Sequence, residues 1–119
     1  MYKFEHKGKA MVVTVGGFIT PDEAKLFIDE YESIIKNLDT KNTCLILDGR
    51  DMKASTQDML PMLQGCFQLY MRDGFEKVFM INFVSSVTNS QVARVAKEIG
   101  FNEKYEMVSS VEEALKKAI

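Results

Sequence analysis

The chain has 119 residues, 46% hydrophobic and 27% charged, with two cysteines and no tryptophan. That length supports a single hydrophobic core, hence one domain over 1–119, and abundant apolar residues with a net charge of -2 exclude intrinsic disorder. Only three of the 15 basic residues are arginines, and so balanced a charge argues against nucleic acid, whose binders concentrate Lys and Arg to displace counterions.

Other classes fall to what the pattern lacks. The start, Met1 to His6, is charged from its third residue and has no apolar signal segment, so the expected location is cytoplasmic. The longest apolar runs are strand-sized, far below the roughly 20 residues of a membrane span, so no membrane insertion is expected. Cys44 and Cys66 each sit in an apolar stretch, which favours core packing over a disulfide. His6 is the sole histidine and lies in a charged segment, which reads as solvated; it leaves no two-imidazole metal site and no histidine-based triad. Gly16-Gly17 is the one glycine pair and lacks a phosphate-loop spacing. No catalytic constellation, metal site or cofactor is expected.

In chain order, residues 2 to 5 and 10 to 16 read as a hairpin turning at Lys7-Gly8-Lys9. Thr20-Pro21-Asp22-Glu23 is a capping box with proline in the first turn. It opens a helix whose apolar stripe runs from Ala24 through Phe27, Ile28, Tyr31, Ile34 and Ile35 to Leu38. Thr43 to Leu47 is a continuous apolar run, as in a strand buried on both faces, and Asp48 to Asp51 ends it. A second helix is predicted from Ser55 or Thr56 to Asp73, a strand over Lys77 to Phe83, and a third helix over Ser90 to Ile99 closed by Gly100. Tyr105 to Val108 is a short last strand, and Ser110-Val-Glu-Glu113 caps a final helix to Ala118. The order β-β-α-β-α-β-α-β-α predicts an α/β fold, a mixed sheet of about five strands with four helices and the first strand antiparallel at an edge.

Three stretches then carry a family likeness: Met11 to Thr20 with its glycine pair before a helix; Cys44-Leu-Ile-Leu-Asp48 followed by Asp51-Met52 and a hydroxyl-bearing helix start; and Val92 to Phe101 with Tyr105 to Ala114. Over essentially the whole chain this layout resembles the STAS domain, the sulfate transporter and anti-sigma factor antagonist fold. The resemblance implies a regulatory protein-interaction domain whose partner surface lies at the start of the second helix. It also implies a phosphorylated serine in an Asp-Ser-Ser-Gly motif there. This chain has Lys53-Ala-Ser-Thr-Gln-Asp58 instead. An ungapped register brings Gln57 and Asp58 to the serine positions, one deletion brings Thr56 and two bring Ser55; the motif's aspartate and glycine are absent in each.

The bland readings compete residue by residue. Ser55 with Asp58 three places on is also a plain capping box, favoured over a phosphorylation switch. Asp48 and Asp51 read as loop-solvated or capping carboxylates rather than a Mg²⁺ site. The polar run Ser85 to Ser90 reads as a loop and helix cap ahead of a ligand loop. On the second helix the apolar residues Met59, Leu60, Met62, Leu63, Cys66, Phe67, Leu69, Tyr70 and Met71 span about 200° of the wheel. That is roughly twice what a core-facing surface helix needs. The surplus edge around Met62 and Leu69 is assigned equally to a partner and to a neighbouring helix. The leading expectation is a non-catalytic interaction domain docking through Met59, Met62, Leu69 and the adjoining 55–58 loop onto a protein partner or a second copy. The alternative is a small-molecule or lipid-binding domain with a pocket between sheet and helices, suggested by eight Met and eight Phe.

Overall fold

The computed structural model describes residues 1–118 of the chain. Strands β1 (Tyr2–Lys7) and β2 (Ala10–Val15) form the antiparallel hairpin, Phe4 opposite Val13, around Gly8 at φ 57°. β3 (Cys44–Asp48), β4 (Lys77–Ile81) and β5 (Glu106–Val108) follow in parallel, giving the order β1-β2-β3-β4-β5 with β1 at the edge. The expected mixed five-stranded sheet with four helices is thus formed.

Strand order determines where the helices go. Each crossover steps one strand in the same direction, and right-handed connections then send every crossover helix to the same face. Accordingly α1 (Pro21–Ile35), α2 (Leu60–Asp73) and α3 (Ser86–Ile99) all pack on the face carrying Met11, Val13, Leu45, Leu47 and Met80. The alternate residues Ala10, Val12, Cys44, Ile46, Phe79 and Ile81 point the other way. There the seven-residue α4 (Val111–Lys117) covers them with Val111, Ala114 and Leu115. β3, every residue of which is buried, lies between both layers.

Caps read from the sequence are made at three helix ends. Thr20 Oγ1 accepts from Glu23 N at 3.1 Å, Ser110 Oγ from Glu113 N at 3.1 Å, and Gly100 closes α3 at φ 80°. Other boundaries move. α1 stops at Ile35 rather than Leu38, because the next amides bond to carbonyls three residues back, Asn37 to Ile34 and Leu38 to Ile35, and tighten the chain out of the helix. α2 begins at Leu60, not at residues 55 or 56. A helix already under way at Gln57 would need an N–H from Pro61 and would drive its ring into the Gln57 carbonyl; a single 3₁₀ turn, Gln57–Met59, stands there instead. α3 starts four residues early, at Ser86, because Ser85 Oγ accepts from Thr88 N at 3.2 Å. β4 ends at Ile81, short of Phe83.

Aromatic contacts run through the main core: Phe4 stacks on Phe27 at 5.0 Å, Tyr31 meets Tyr70 edge-on at 5.4 Å, and Phe67 stacks on Phe101 at 4.7 Å. Tyr31 is wholly buried, and its hydroxyl donates to Asp73 Oδ2 at 2.7 Å, joining α1 to the end of α2. Burial, then this carboxylate, push the Tyr31 hydroxyl far above the usual phenol range. Arg72 extends the link by bonding both Asp73 and Glu32 of α1. Hydrogen bonds to a charged partner contribute about 1.5–3 kcal/mol. Tyr31→Phe is therefore expected to lower unfolding free energy by about that amount in a urea titration; a loss below 0.5 kcal/mol, roughly the surface-residue level, would remove Tyr31 from this role.

Candidate functional site

All three loops leaving the parallel strands toward α1, α2 and α3 emerge at one edge of the sheet, where open α/β sheets place their ligands. The middle loop, residues 49–56, is tied to both neighbours by backbone bonds. Gly17 N donates to the Asp51 carbonyl and Lys53 N to the Gly17 carbonyl, each at 3.1 Å. This two-way exchange needs Gly17 at φ 68°, a conformation that a Cβ would strain. On the other side Val84 N donates to the Arg50 carbonyl at 3.0 Å, and the buried Thr88 hydroxyl donates to the Met52 carbonyl at 3.0 Å. Gln91 of α3 clamps the end of the loop: its Oε1 accepts from Ser55 N at 2.7 Å and its Nε2 donates to the Ser55 carbonyl at 2.9 Å.

This arrangement corrects several sequence expectations. Ser55 does not cap α2; its backbone is held by Gln91, and no hydrogen bond joins its hydroxyl to any described residue. Thr56 precedes the 3₁₀ turn without a side-chain cap, and Gln57 and Asp58 are exposed within that turn. Asp48 is not solvated: it is 6% exposed, and its carboxylate accepts from Arg50 Nε at 3.1 Å and Nη2 at 2.9 Å. Ser86 to Ser90 belong to α3 rather than to a loop.

The wide apolar arc of α2 is explained by position. As the middle of three helices on one face, α2 packs against α1, α3 and the sheet. Three neighbours require a wider stripe than one. Met59 is buried, Leu69 is half-buried against the main core, and Met62 is half-buried at the wall of a cavity. The apolar residues that do face solvent at this edge were not singled out by sequence pattern: Phe18 at 64%, Val84 at 79% and Val87 at 65% exposure. Phe18 follows Gly17, Val84 is bonded to Arg50, and Val87 lies in the first turn of α3, so all three border the 49–56 loop. Val87, alone in the polar run from Ser85 to Ser90, carried a signal of this kind; Phe18 and Val84 adjoin Ile19 and Phe83 and read as parts of apolar runs.

Beneath the loop lies a partly open cavity of about 120 Å³ between α1, α2 and the ends of β2 and β3, lined by Val15, Leu47, Met52, Met59, Met62 and Cys66 among others. A second cavity of about 160 Å³ adjoins it, sharing Ile19, Met52, Ser55 and Met59 and adding Phe18, Lys53, Thr56 and Asp58. Among the described residues no group of three or more His, Cys, Asp or Glu side chains could hold a metal ion, and no helix is long and apolar enough to cross a membrane.

No protein-family model matches the sequence, and no curated protein does. Solved structures do. The unphosphorylated anti-sigma factor antagonist SpoIIAA superposes with a TM-score of 0.68 at 12% identity, covering 98% of this chain and 95% of that one. An anti-sigma factor antagonist from Mycobacterium paratuberculosis gives 0.63 at 14% identity, covering 99% and 92%. An uncharacterised DUF3478-family protein with a SpoIIAA-like fold from Shewanella loihica PV-4 gives 0.70 at 13% identity, covering 100% and 93%.

Two predictions follow from this geometry. Gln91→Ala removes two partly buried bonds, each contributing about 1 kcal/mol, so amide exchange at Ser55 should speed up several-fold while β3 stays protected; uniform acceleration would mean that Gln91 serves the whole fold instead. Burial raises the Cys66 thiol to about 11 from the ordinary 9.0, which lowers its thiolate fraction at pH 8 about a hundredfold. Iodoacetamide should label Cys66 at least that much more slowly in the folded chain than in urea, with the folded rate still climbing up to about pH 11; equal rates would contradict its burial. The fold that carries this edge, matched over nearly the full length of each comparison structure, is the STAS-like fold of the SpoIIAA type.

Proposed function

We propose that this chain is a non-catalytic, regulatory interaction domain of STAS type that docks onto a protein partner through the C-terminal edge of its sheet. The observation that carries the reading is the exposure of Phe18, Val84 and Val87 on loops whose backbones are cross-bonded into one platform. Exposed apolar residues cost solubility unless a partner covers them, and their rim is polar and charged, with Arg50, Asp51, Lys53 and Asp58 exposed around them. An apolar centre with a polar rim is the anatomy of a protein interface.

Two of the matched structures are anti-sigma factor antagonists, which supports a partner of the anti-sigma factor type. The proposed surface includes Ser55, Thr56, Gln57 and Asp58 and the loop side of Met59, and refines the docking surface toward the loops. Met62 and Leu69 contribute by holding α2 in place rather than by contact. The rigid backbone suits recognition with little rearrangement. A modification of Ser55 or Thr56 would place negative charge beside Lys53 and Asp58, in the middle of this surface.

The double variant Phe18→Asp with Val84→Asp tests the reading. Both positions are exposed, so the melting transition should shift by less than the equivalent of about 0.5 kcal/mol, while native mass spectra of protein isolated from its host lose the partner-bound species seen with the parent chain. Retention of that species by the folded variant would refute docking at this edge, and a species at twice the chain mass would identify the partner as a second copy.

A further inference from the structure

We infer that the two adjoining cavities form a binding site for a single-chain amphiphile with one negative charge, a fatty acid, whose hydrocarbon chain lies beneath α1 and α2 and whose carboxylate lies at Lys53. The inference is independent of the protein partner proposed above.

The inner cavity, of about 120 Å³, is in the size range of an apolar cavity that accepts a benzene ring. Its wall is built from apolar side chains of both sheet and helices. Its one charged lining residue, Asp48, is committed to Arg50 through two hydrogen bonds and does not oppose a hydrocarbon or an anion. Four of the chain's eight methionines, Met52, Met59, Met62 and Met80, line it. Unbranched thioether side chains re-pack around ligands of varying shape, where β-branched residues would set a fixed outline.

The outer cavity supplies the polar end. It shares Ile19, Met52, Ser55 and Met59 with the inner one, so the two adjoin across these side chains, and the unbranched Met52 and Met59 are the ones that would turn aside to let a chain pass. Among the described residues Lys53 is the one basic residue lining either cavity, and it makes no ion pair with any of them. Its ammonium lies 5.4 Å from the centre of the Phe18 ring. The Ser55 and Thr56 hydroxyls, on the same lining, have no hydrogen bond to a described residue. One ammonium with two hydroxyls is a donor set for a carboxylate. Asp58 on the same wall offsets part of the Lys53 field, which suits a monoanion and disfavours a doubly charged phosphate.

The full chain titrated with decanoate and with decanol by calorimetry tests the inference, with Cys66 alkylation as an internal readout because Cys66 lines the inner cavity. The expected result is saturable one-to-one binding of decanoate and slowed alkylation of Cys66 on saturation. Leu63→Trp, which fills the inner cavity, should abolish both. Lys53→Gln, on an exposed side chain that leaves the fold intact, should weaken decanoate about fivefold and leave decanol unchanged. Absence of saturable decanoate binding to the parent chain overturns the site. Equal response of decanoate and decanol to Lys53→Gln overturns the assignment of the charged end, whether or not Leu63→Trp folds.

Discussion

Strand order is the constraint on which the rest of this molecule depends. Because β2, β3, β4 and β5 are laid down side by side in sequence order, three right-handed crossovers have one face available to them. The main core, the central position of α2 and the gathering of three loops at one sheet edge are all consequences. So is the thinness of the opposite layer, where among the described elements α4 is the one helix over the small and β-branched residues Ala10, Val12, Cys44 and Ile46. On the same side of β1 stand Lys3, Glu5 and Lys7, with both lysines paired to Glu5. Charged residues there guard an edge strand that would otherwise be open to pairing.

The functional edge and the core are mechanically joined. Gln91 and Thr88 reach from α3 to the backbone of Ser55 and Met52, so the loop bordering the exposed residues is held by the same face of the helix that enters the core through Val92, Val95 and Ala96. Anything that displaces Met52 or Ser55 from beneath is felt at the surface above. Since both residues also line the cavities, the interior and the docking loop share a wall.

Local signals in the chain were reliable where the physics is local. The Thr20 and Ser110 caps and the Gly100 stop satisfy backbone groups within one turn, and β3 reads as doubly buried because its whole run is apolar. The start of α2 departs from the capping pattern at Ser55 because Pro61, six residues on, vetoes a helix through Gln57. Gln91 gave no signal: a glutamine mid-helix acquires its role only when another loop, 36 residues away in sequence, is folded against it. Asp48 looked like a solvated loop residue because nothing in the sequence says that Arg50 will fold back onto it.

Periodicity and caps, which act over a few residues, are enough to establish the alternation of elements, the mixed sheet, and an excess of apolar surface on α2 beyond the needs of a helix with one neighbour. Where that excess goes depends on the packed molecule. Placement between α1 and α3 consumes most of it, the cavity takes Met62, and the solvent-facing apolar residues are Phe18, Val84 and Val87 on three loops that only strand order brings together. Long-range placement is set by the handedness of the crossovers and the register of the sheet, and neither is written in any single segment.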